Sequence, residues 1–445
     1  MQYNEPILKA VKKISRGVIL PIKKNTAESS SVLLPPPEKV VIPLLQHIGE
    51  PCLPLVEKGD TVYVGTKIGD SEELTTVPIH SSVSGTVDDI GSITLTSGEE
   101  CQTVEILSDG LMAADPELKP VSINSKEELI AAVRESGVVG LGGAGFPLHI
   151  KLGLTLEKQP DTLIINATES EPYITCDYRE CIENAENILE GACLLKEYLG
   201  FREVIICLED NMQNAIKAIY EAITNSGDFD AIKLMSLKTQ YPIGAENVLT
   251  FAATGRELPM DKQPIDVGCL VMNVTTVSAL NTFIKTGMPL VNKRVTVDGN
   301  AIREPKNVIV PIGTSTNDVL EFCGLKTYPK KVIYGGPMMG TAVNSTDMPI
   351  VKQNNAVLVF GRKAAARPLQ HNCIRCGRCA AVCPMKLRPF EIANAQSKGK
   401  VEQLKKLYAN HCIECGCCSY ICPSKRDVTG AVCLAKAKLE EARED

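Results

Sequence analysis

Two short runs of the chain carry the residue type and spacing best suited to redox chemistry. "NCIRCGRCAAVCPMK" and "HCIECGCCSYICPSK" are one internal repeat, each reading C-x2-C-x2-C-x3-C-P: Cys373, Cys376, Cys379 and Cys383 before Pro384, then Cys412, Cys415, Cys418 and Cys422 before Pro423. Three thiolates at three-residue spacing wrap one face of an iron–sulfur cubane, whose fourth iron needs a cysteine from elsewhere. In two-cluster proteins of this spacing the fourth cysteine crosses over. The expectation is one [4Fe–4S] centre on Cys373, Cys376, Cys379 and Cys422, and a second on Cys412, Cys415, Cys418 and Cys383. The competing readings are weaker: zinc sites usually take paired CxxC arms, and a cytoplasmic setting disfavours a disulfide framework. Cys417 breaks the triplet spacing and reads as a bystander. His371 and His411, just before the first cysteine of each run, read as surface or hydrogen-bonding groups. Most of the other cysteines are scattered singly and read as small buried hydrophobes.

A second stretch is "GVVGLGGAGFPLHIKL", Gly137 to Leu152. It contains Gly140-x-Gly142-x-x-Gly145, a dinucleotide fingerprint that has force only between a strand and a helix. The residues upstream, "NSKEELIAAVRESGVVG", read instead as a helix capped by Asn124 or Ser125. Two readings stay open: glycine amides holding an anion with Lys151 adding charge, or a flexible surface loop. Farther on, "LIINATESEPYITCDYRE" sets Asn166, Glu169, Glu171 and Tyr173 just after an apolar strand, where open α/β sheets bind ligands. Those groups could hydrogen-bond a ribityl chain or a nicotinamide carboxamide, or form a solvated acidic turn. Two one-electron centres sharing a chain with an anion loop point to a flavin, the usual converter between hydride and single electrons.

The elements that must position these groups fall into several domains, since 445 residues exceed one core. A net charge of -6 argues against a nucleic-acid partner. No run of eighteen or more apolar residues spans a bilayer, and the start lacks a secretory signal, so a cytoplasmic location is expected. Residues 1–37 read as a polar arm ending in the extended linker "LLPPPEK". The segments "KVVIPLLQHIG", "GDTVYVGTKIG", "TTVPIHSSVSGTVDDI" and "SITLTS" suggest a compact all-β module. Helices and strands then alternate: "DTLIINAT" and "FREVIICLED" are buried-strand runs, while "CIENAENILEGACLLKEYLG" and "NMQNAIKAIYEAITNSG" are helical. "VNKRVTVDGNAI" reads as a hairpin around Asp298-Gly299. The cysteine runs flank an insert holding a helix or two.

"GLGGAGFPLHIKL", "INATESEPY", "YPIGAENVLTFAATGRELP" and "MNVTTVSAL" resemble the flavin- and NADH-binding subunit of respiratory complex I. Together with "IPLLQHIGEPCLPLVEKGDTVYVGTKIG", "VPIHSSVSGTV" and "IYGGPMMGTAV" they resemble more closely the C-subunit family of the Rnf ion-translocating ferredoxin:NAD oxidoreductases, over nearly the whole chain. The resemblance implies a multidomain α/β plus β architecture. After the arm at 1–37 would come a barrel-sandwich hybrid at 38–118 and a Rossmann-like FMN- and NADH-binding α/β domain at 119–288. A β-grasp (SLBB) domain at 289–362 and a ferredoxin-like helical domain with two [4Fe–4S] clusters at 363–445 would follow. By motif position Gly140, Gly142, Gly143, Gly145 and Lys151 would cradle the FMN phosphate. Asn166, Glu169, Glu171, Tyr173, Tyr241, Gly244, Glu246 and Asn273 would line the flavin or nicotinamide, and Phe146 would stack on the adenine of NADH. Leu148 and Ser170 stand where the family often has threonine and cysteine, and "RGVILP" replaces its "GGIHP". No lysine lies between Asp70 and Val87 for prosthetic attachment, so the lipoyl-like module reads as a packing piece, with His47 and His80 as local hydrogen-bond partners.

The function implied is electron transfer between two [4Fe–4S] clusters, FMN and NAD(H). The chain would be a peripheral subunit on the cytoplasmic face of the cell membrane. Its partners would be the other Rnf subunits, ferredoxin indirectly, and no nucleic acid; ion movement would reside in the membrane subunits. The rival readings are a cobalamin reductase-type flavin and iron–sulfur protein, and a non-catalytic wiring subunit without flavin.

Overall fold

The arm does not hang free. The computed structural model describes residues 7–227 and 232–444; residues 1–6 of the expected arm and residue 445 of the expected cysteine-rich domain lie outside it. β1 (Leu8–Lys9) and β2 (Val32–Leu33) add edge strands to two different sheets, and Val18 bridges Tyr241 between them. A two-sheet β unit follows: β3 (Lys39–Pro43), β4 (Leu53–Pro54), β5 (Thr61–Val62), β6 (Lys67–Asp70), β7 (Ile79–His80), β8 (Gly85–Thr94) and β9 (Glu100–Ser108). One antiparallel sheet has the order β3-β9-β8-β5 and the other β4-β6-β7. Alternation of side chains along a strand puts Val40, Ile42, Val104 and Ile106 into the shared core with Ile68 and Ile79. The segments around "GTVDDI" and "SITLTS" are one continuous strand, β8, rather than two.

The α/β region begins with α1 (Lys126–Glu135), whose N-cap is Ser125: its side chain accepts the Glu128 N–H. α2 (Leu148–Lys158), β10 (Thr162–Asn166), α3 (Cys176–Glu183), α4 (Ala185–Leu199), β11 (Glu203–Glu209), α5 (Gln213–Ser226), β12 (Ile232–Leu237), α6 (Glu246–Thr254), β13 (Cys269–Asn273) and α7 (Val274–Thr286) follow. The sheet is parallel throughout, in the order β1-β12-β11-β10-β13. Its strands are near-continuous apolar runs, as burial on both faces requires. Leu163, Ile165, Val204, Ile206, Leu270 and Met272 face one helical layer. Ile164, Ile205, Cys207 and Val271 face the other, where α6 and the arm's Leu8 and Ile14 pack. The expected single helix over "CIENAENILEGACLLKEYLG" breaks at Asn184 into α3 and α4.

β14 (Asn292–Asp298), β15 (Lys306–Pro311), α8 (Thr316–Cys323), β16 (Lys331–Tyr334), β17 (Thr341–Ala342) and β18 (Ala356–Phe360) build a mixed sheet, β17-β16-β18-β14-β15-β2, with α8 on its core. β14 and β15 do form a hairpin, but not about a tight Asp298-Gly299 turn, because residues 299–305 connect them. A Cβ on Gly299 would lie 2.1 Å from the Val359 oxygen, so this glycine serves close strand approach instead. α9 (Arg362–Ala365) leads to α10 (Arg378–Val382), α11 (Pro389–Gln396), α12 (Val401–Lys406), α13 (Cys417–Tyr420) and α14 (Val428–Glu444). The insert between the cysteine runs thus supplies two helices, α11 and α12, which bury Ile392, Ala395 and Leu404 against Val432 and Leu439 of α14.

The β unit docks on the α/β region through paired charges and backbone. Arg134 meets Asp70 at 2.6 Å, the His149 ring bonds the Leu74 carbonyl at 2.9 Å, and Ile48 N–H donates to the Gly145 carbonyl at 3.0 Å. His47 bonds the Glu50 carbonyl at 2.9 Å as expected, whereas the buried Nδ1 of His80 meets no partner.

Candidate functional site

β10, β11 and β12 run outward in sequence order while β13 returns to the other side of β10, so the strand order reverses between β10 and β13. That reversal opens a crevice at the strands' carboxyl ends. Asn166 and Asn273, the last residues of the two strands, sit side by side there. A cleft of about 990 Å³ occupies the crevice, walled by the glycine loop, the loop after β10, the start of α6 and two loops of the mixed sheet. The second cysteine run closes its far end with Ile413 and Cys415.

Twelve of the fourteen residues expected around flavin and nucleotide line this cleft: Gly140, Gly142, Gly143, Phe146, Lys151, Asn166, Glu169, Glu171, Tyr241, Gly244, Glu246 and Asn273. Gly145 and Tyr173 do not. Gly145 is a turn residue at φ 66° whose N–H donates to the Gly140 carbonyl. Tyr173 has φ 75°, which turns its ring out of the cleft onto Phe360, with ring centroids 5.7 Å apart, while Lys23 bonds its hydroxyl at 3.0 Å. The expectation for Tyr173 is therefore corrected.

The glycine loop is an ordered hairpin-like turn. Gly140 N–H donates to the Phe146 carbonyl, and Val139 bridges Pro147. α1 enters and α2 leaves, so no strand feeds the loop. Leu141 N–H is held by the Thr276 hydroxyl, but among the described residues no acceptor meets the N–H groups of Gly142, Gly143 or Ala144. Space is open where a Gly143 Cβ would stand. Free amides beside the uncapped N-terminus of α2 fit a phosphate. Lys151 adds a cation and pairs with Glu246 at 2.6 Å.

The acidic residues divide by partner. Glu169 accepts from Asp177 N–H at 2.9 Å and Tyr178 N–H at 3.3 Å, at the start of α3. Burial raises its pKa, opposed by the Lys24 ammonium. Lys24 reaches in from the arm and donates to the carbonyls of Glu169, Glu171 and Ile174 at 2.6, 3.0 and 2.5 Å. Glu171 accepts from the Met338 and Met339 N–H groups at 2.9 and 3.0 Å, clasping the "GGPMMG" loop of the mixed sheet. A Cβ on Gly336 would stand 2.1 Å from its carboxylate. Asn166 donates to the Gly244 carbonyl, and Asn273 caps α7 while donating to Asp177 at 2.8 Å. Asp177 lines the cleft too and was missed, because nothing in "TCDYRE" separates it from an ordinary first-turn acid.

The cysteines separate as well. Cys383, Cys412, Cys415 and Cys418, the crossed set expected from the repeat, line one small cavity together with Cys417. Burial pushes the Cys412 thiol up to about 12 and Cys418 to about 11. Thiols lining one cavity would suit a cluster, whose iron would keep them as thiolates. Cys373 and Cys376 are exposed and Cys379 and Cys422 half-buried. Cys415 lines both the small cavity and the large cleft. Between them Tyr241 packs with Cys415, Cys417 and Val18, its buried hydroxyl without a partner.

The chain matches three families: the Nuo51 FMN-binding domain over residues 133–282, the RnfC barrel sandwich hybrid domain over 12–111, and the 4Fe-4S dicluster domain over 372–426. It is 39% identical to the C subunit of the Na(+)-translocating ferredoxin:NAD(+) oxidoreductase complex of Acetobacterium woodii, over 94% of each chain. It is 39% identical to the C subunit of the proton-translocating ferredoxin:NAD(+) oxidoreductase complex of Clostridium ljungdahlii, over 87% of this chain and 84% of that one. Identity to the C subunit of the ion-translocating oxidoreductase complex of Rhodobacter capsulatus is 36%, over 85% and 74%. A solved NAD+-reducing [NiFe]-hydrogenase shares the fold at a TM-score of 0.52 and 19% identity, over 71% of this chain and 63% of that one.

Proposed function

Since the chain belongs to the family of C subunits of ion-translocating ferredoxin:NAD(+) oxidoreductase complexes, we propose the order in which electrons cross it. It is the electron-transfer subunit of such a complex and works with two [4Fe–4S] clusters, FMN and NAD(H). The position of Cys415 on both cavities carries the proposal. The centre on Cys383, Cys412, Cys415 and Cys418 is the inner one, next to the cleft. The centre on Cys373, Cys376, Cys379 and Cys422 is the outer one, facing the partner. Cys373, Cys376, Cys379 and Cys422 would hold the group that takes single electrons from the partner, and Cys383, Cys412, Cys415 and Cys418 the group that would hand them to the cleft for NAD+.

FMN, when bound, supplies the conversion between single electrons and a hydride. The chain's own groups bind and orient. The Gly142, Gly143 and Ala144 amides and Lys151 hold the phosphate. Asn166, Gly244, Glu246 and Asn273 frame the ring side of the cleft, and Phe146 at the mouth takes the adenine. Glu169 and Glu171 act mainly by fixing α3 and the "GGPMMG" loop. The domain limits follow as 38–118 for the barrel-sandwich hybrid, 119–288 for the flavin domain, 289–362 for a β-grasp unit and 363–445 for the cluster domain. Among the described residues no helix is long and apolar enough to cross a membrane, consistent with a peripheral seat at the cytoplasmic face, with ion movement in other subunits.

Iron, sulfide and flavin determination on anaerobically prepared chain tests this reading. About eight irons and one FMN per chain are expected, with flavin absorbance bleached by NADH. Zinc at the cysteines, or clusters without flavin, would overturn it.

A further inference from the structure

Each hydride that leaves on NAD+ contains two electrons and one proton. The electrons come through the clusters; the proton needs its own path. With flavin and nucleotide filling the cleft, the open mouth is occupied and the inner wall remains. Behind that wall stands Glu209, the last residue of β11, 1% exposed, with neither carboxylate oxygen completing a hydrogen bond among the described residues. An orphaned buried carboxylate is costly when ionised. The other acids of the region already accept hydrogen bonds: Glu171 from two backbone amides, Asp177 from Asn273 and Thr275, and Glu169 from the start of α3.

The groups that act on Glu209 include one that lines the cleft and one bonded to an exposed residue. On the inner side are Glu169, which lines the cleft, and the Lys24 ammonium, which tempers both carboxylates. On the outer side is the Thr239 hydroxyl, which also donates to the exposed Asp210 at 2.7 Å. Asp177 is the further charge facing Glu169.

We propose that Glu209 is the proton reservoir of the cleft, passing its proton inward through Glu169 and being refilled from solvent along Thr239 and Asp210. The step balances: the O–H bond of the Glu209 carboxylic acid breaks, its proton moves by way of Glu169 to the acceptor in the cleft, and a solvent proton restores the acid. NADH oxidation runs the same line backwards. Burial holds the Glu209 pKa up at about 7, so the reservoir is part-filled at neutral pH and empties above it. The proposal rests on the functional reading above.

The test uses the full chain loaded with FMN and clusters, compared with Glu209→Gln and Thr239→Val. Reduced-minus-oxidised infrared spectra should show loss of a carboxylic acid carbonyl band in the wild type and no such band in Glu209→Gln. The rate of NAD+ reduction should fall as pH rises through about 7 in the wild type. In Glu209→Gln it should be slower at low pH by about tenfold or more and flat with pH, at unchanged flavin content and NAD(H) affinity. Thr239→Val should keep the band and slow its exchange in heavy water. A band and pH profile that survive Glu209→Gln would overturn the proposal while leaving the functional reading intact. If Glu209→Gln fails to fold, unaltered exchange in Thr239→Val overturns it equally. Absence of flavin from the wild-type chain would overturn both readings.

Discussion

The two cysteine runs share one backbone and have opposite surroundings. Arg375 and Glu414 both stand at φ 56°, Gly377 and Gly416 at 73° and 75°, Lys386 and Lys425 at 57° and 53°. Arg375 N–H points at Cys373 Sγ and Glu414 N–H at Cys412 Sγ, each at 3.4 Å. Yet Cys373 and Cys376 face solvent while Cys415 and Cys418 are buried. The residues between the ligands make the difference. Ile374 is 67% exposed where its counterpart Ile413 closes the cleft, and Arg378 occupies the position of Cys417, which is 1% exposed against Tyr241. On the proposed reading, cysteine spacing would set how a cluster is gripped and the intervening side chains which cluster is inner.

Breaking one ligand in each run tests that division with the largest expected effect. Cys415→Ser and Cys376→Ser should each cost about half the iron, but with opposite electron traffic. In Cys376→Ser, NADH should still reduce the remaining inner cluster, seen by low-temperature electron paramagnetic resonance. In Cys415→Ser, NADH should bleach the flavin and leave the outer cluster oxidised. Equal reduction in both variants would refute the inner and outer assignment.

Exchanging the residues between the ligands gives the next largest effect. Cys417→Arg puts a charge where Tyr241, Val18 and Cys415 pack, a loss of about 3–5 kcal/mol for an uncompensated buried charge. Arg378→Cys, on the exposed run, should change stability by no more than about 0.5 kcal/mol. Chemical denaturation of the cluster-loaded proteins measures both. A finer pair follows from the glycines. Alanine at Gly377 meets nothing within 4 Å and carries only left-handed backbone strain of about 1 kcal/mol. Alanine at Gly416 adds a contact 2.8 Å from the Met338 carbonyl, on the loop that Glu171 clasps. Gly416→Ala should therefore lose about 2–3 kcal/mol, and parity between the two would mean that the Met338 loop gives way freely.

What could be read from the sequence was what depends on near neighbours. Spacing carries the expectation of the crossed set Cys383, Cys412, Cys415 and Cys418, and the helix before Gly140 follows from its cap and period. Tyr173 reads as a site residue because it lies just after an apolar strand, and its positive φ, which sequence position does not reveal, goes with a ring packed on Phe360. Lys24, Glu209 and Asp177 carried no local mark. Their importance comes from burial and from partners that the fold brings across from distant segments. The arm read as polar with an extended proline linker for the same reason: its strands are too short to register as strands until β12 and β15 accept them.

The smallest expected effect concerns the outer run's charge. Arg375 and Arg378 are exposed and adjoin Cys376 and Cys379 in sequence, in a chain whose net charge is -6. A local positive field on an acidic protein speeds encounter with an acidic electron carrier and is screened by salt. Arg375→Gln should lower the second-order rate of electron exchange with a small acidic one-electron protein by about two- to threefold at low ionic strength, and this difference should vanish at high salt. Glu414, the matching residue of the second run, is tied to Lys436. Glu414→Gln should leave that rate and its salt dependence unchanged. A rate that responds to Glu414 and ignores Arg375 would place the entry point at the buried run, against the exposure of the two sites.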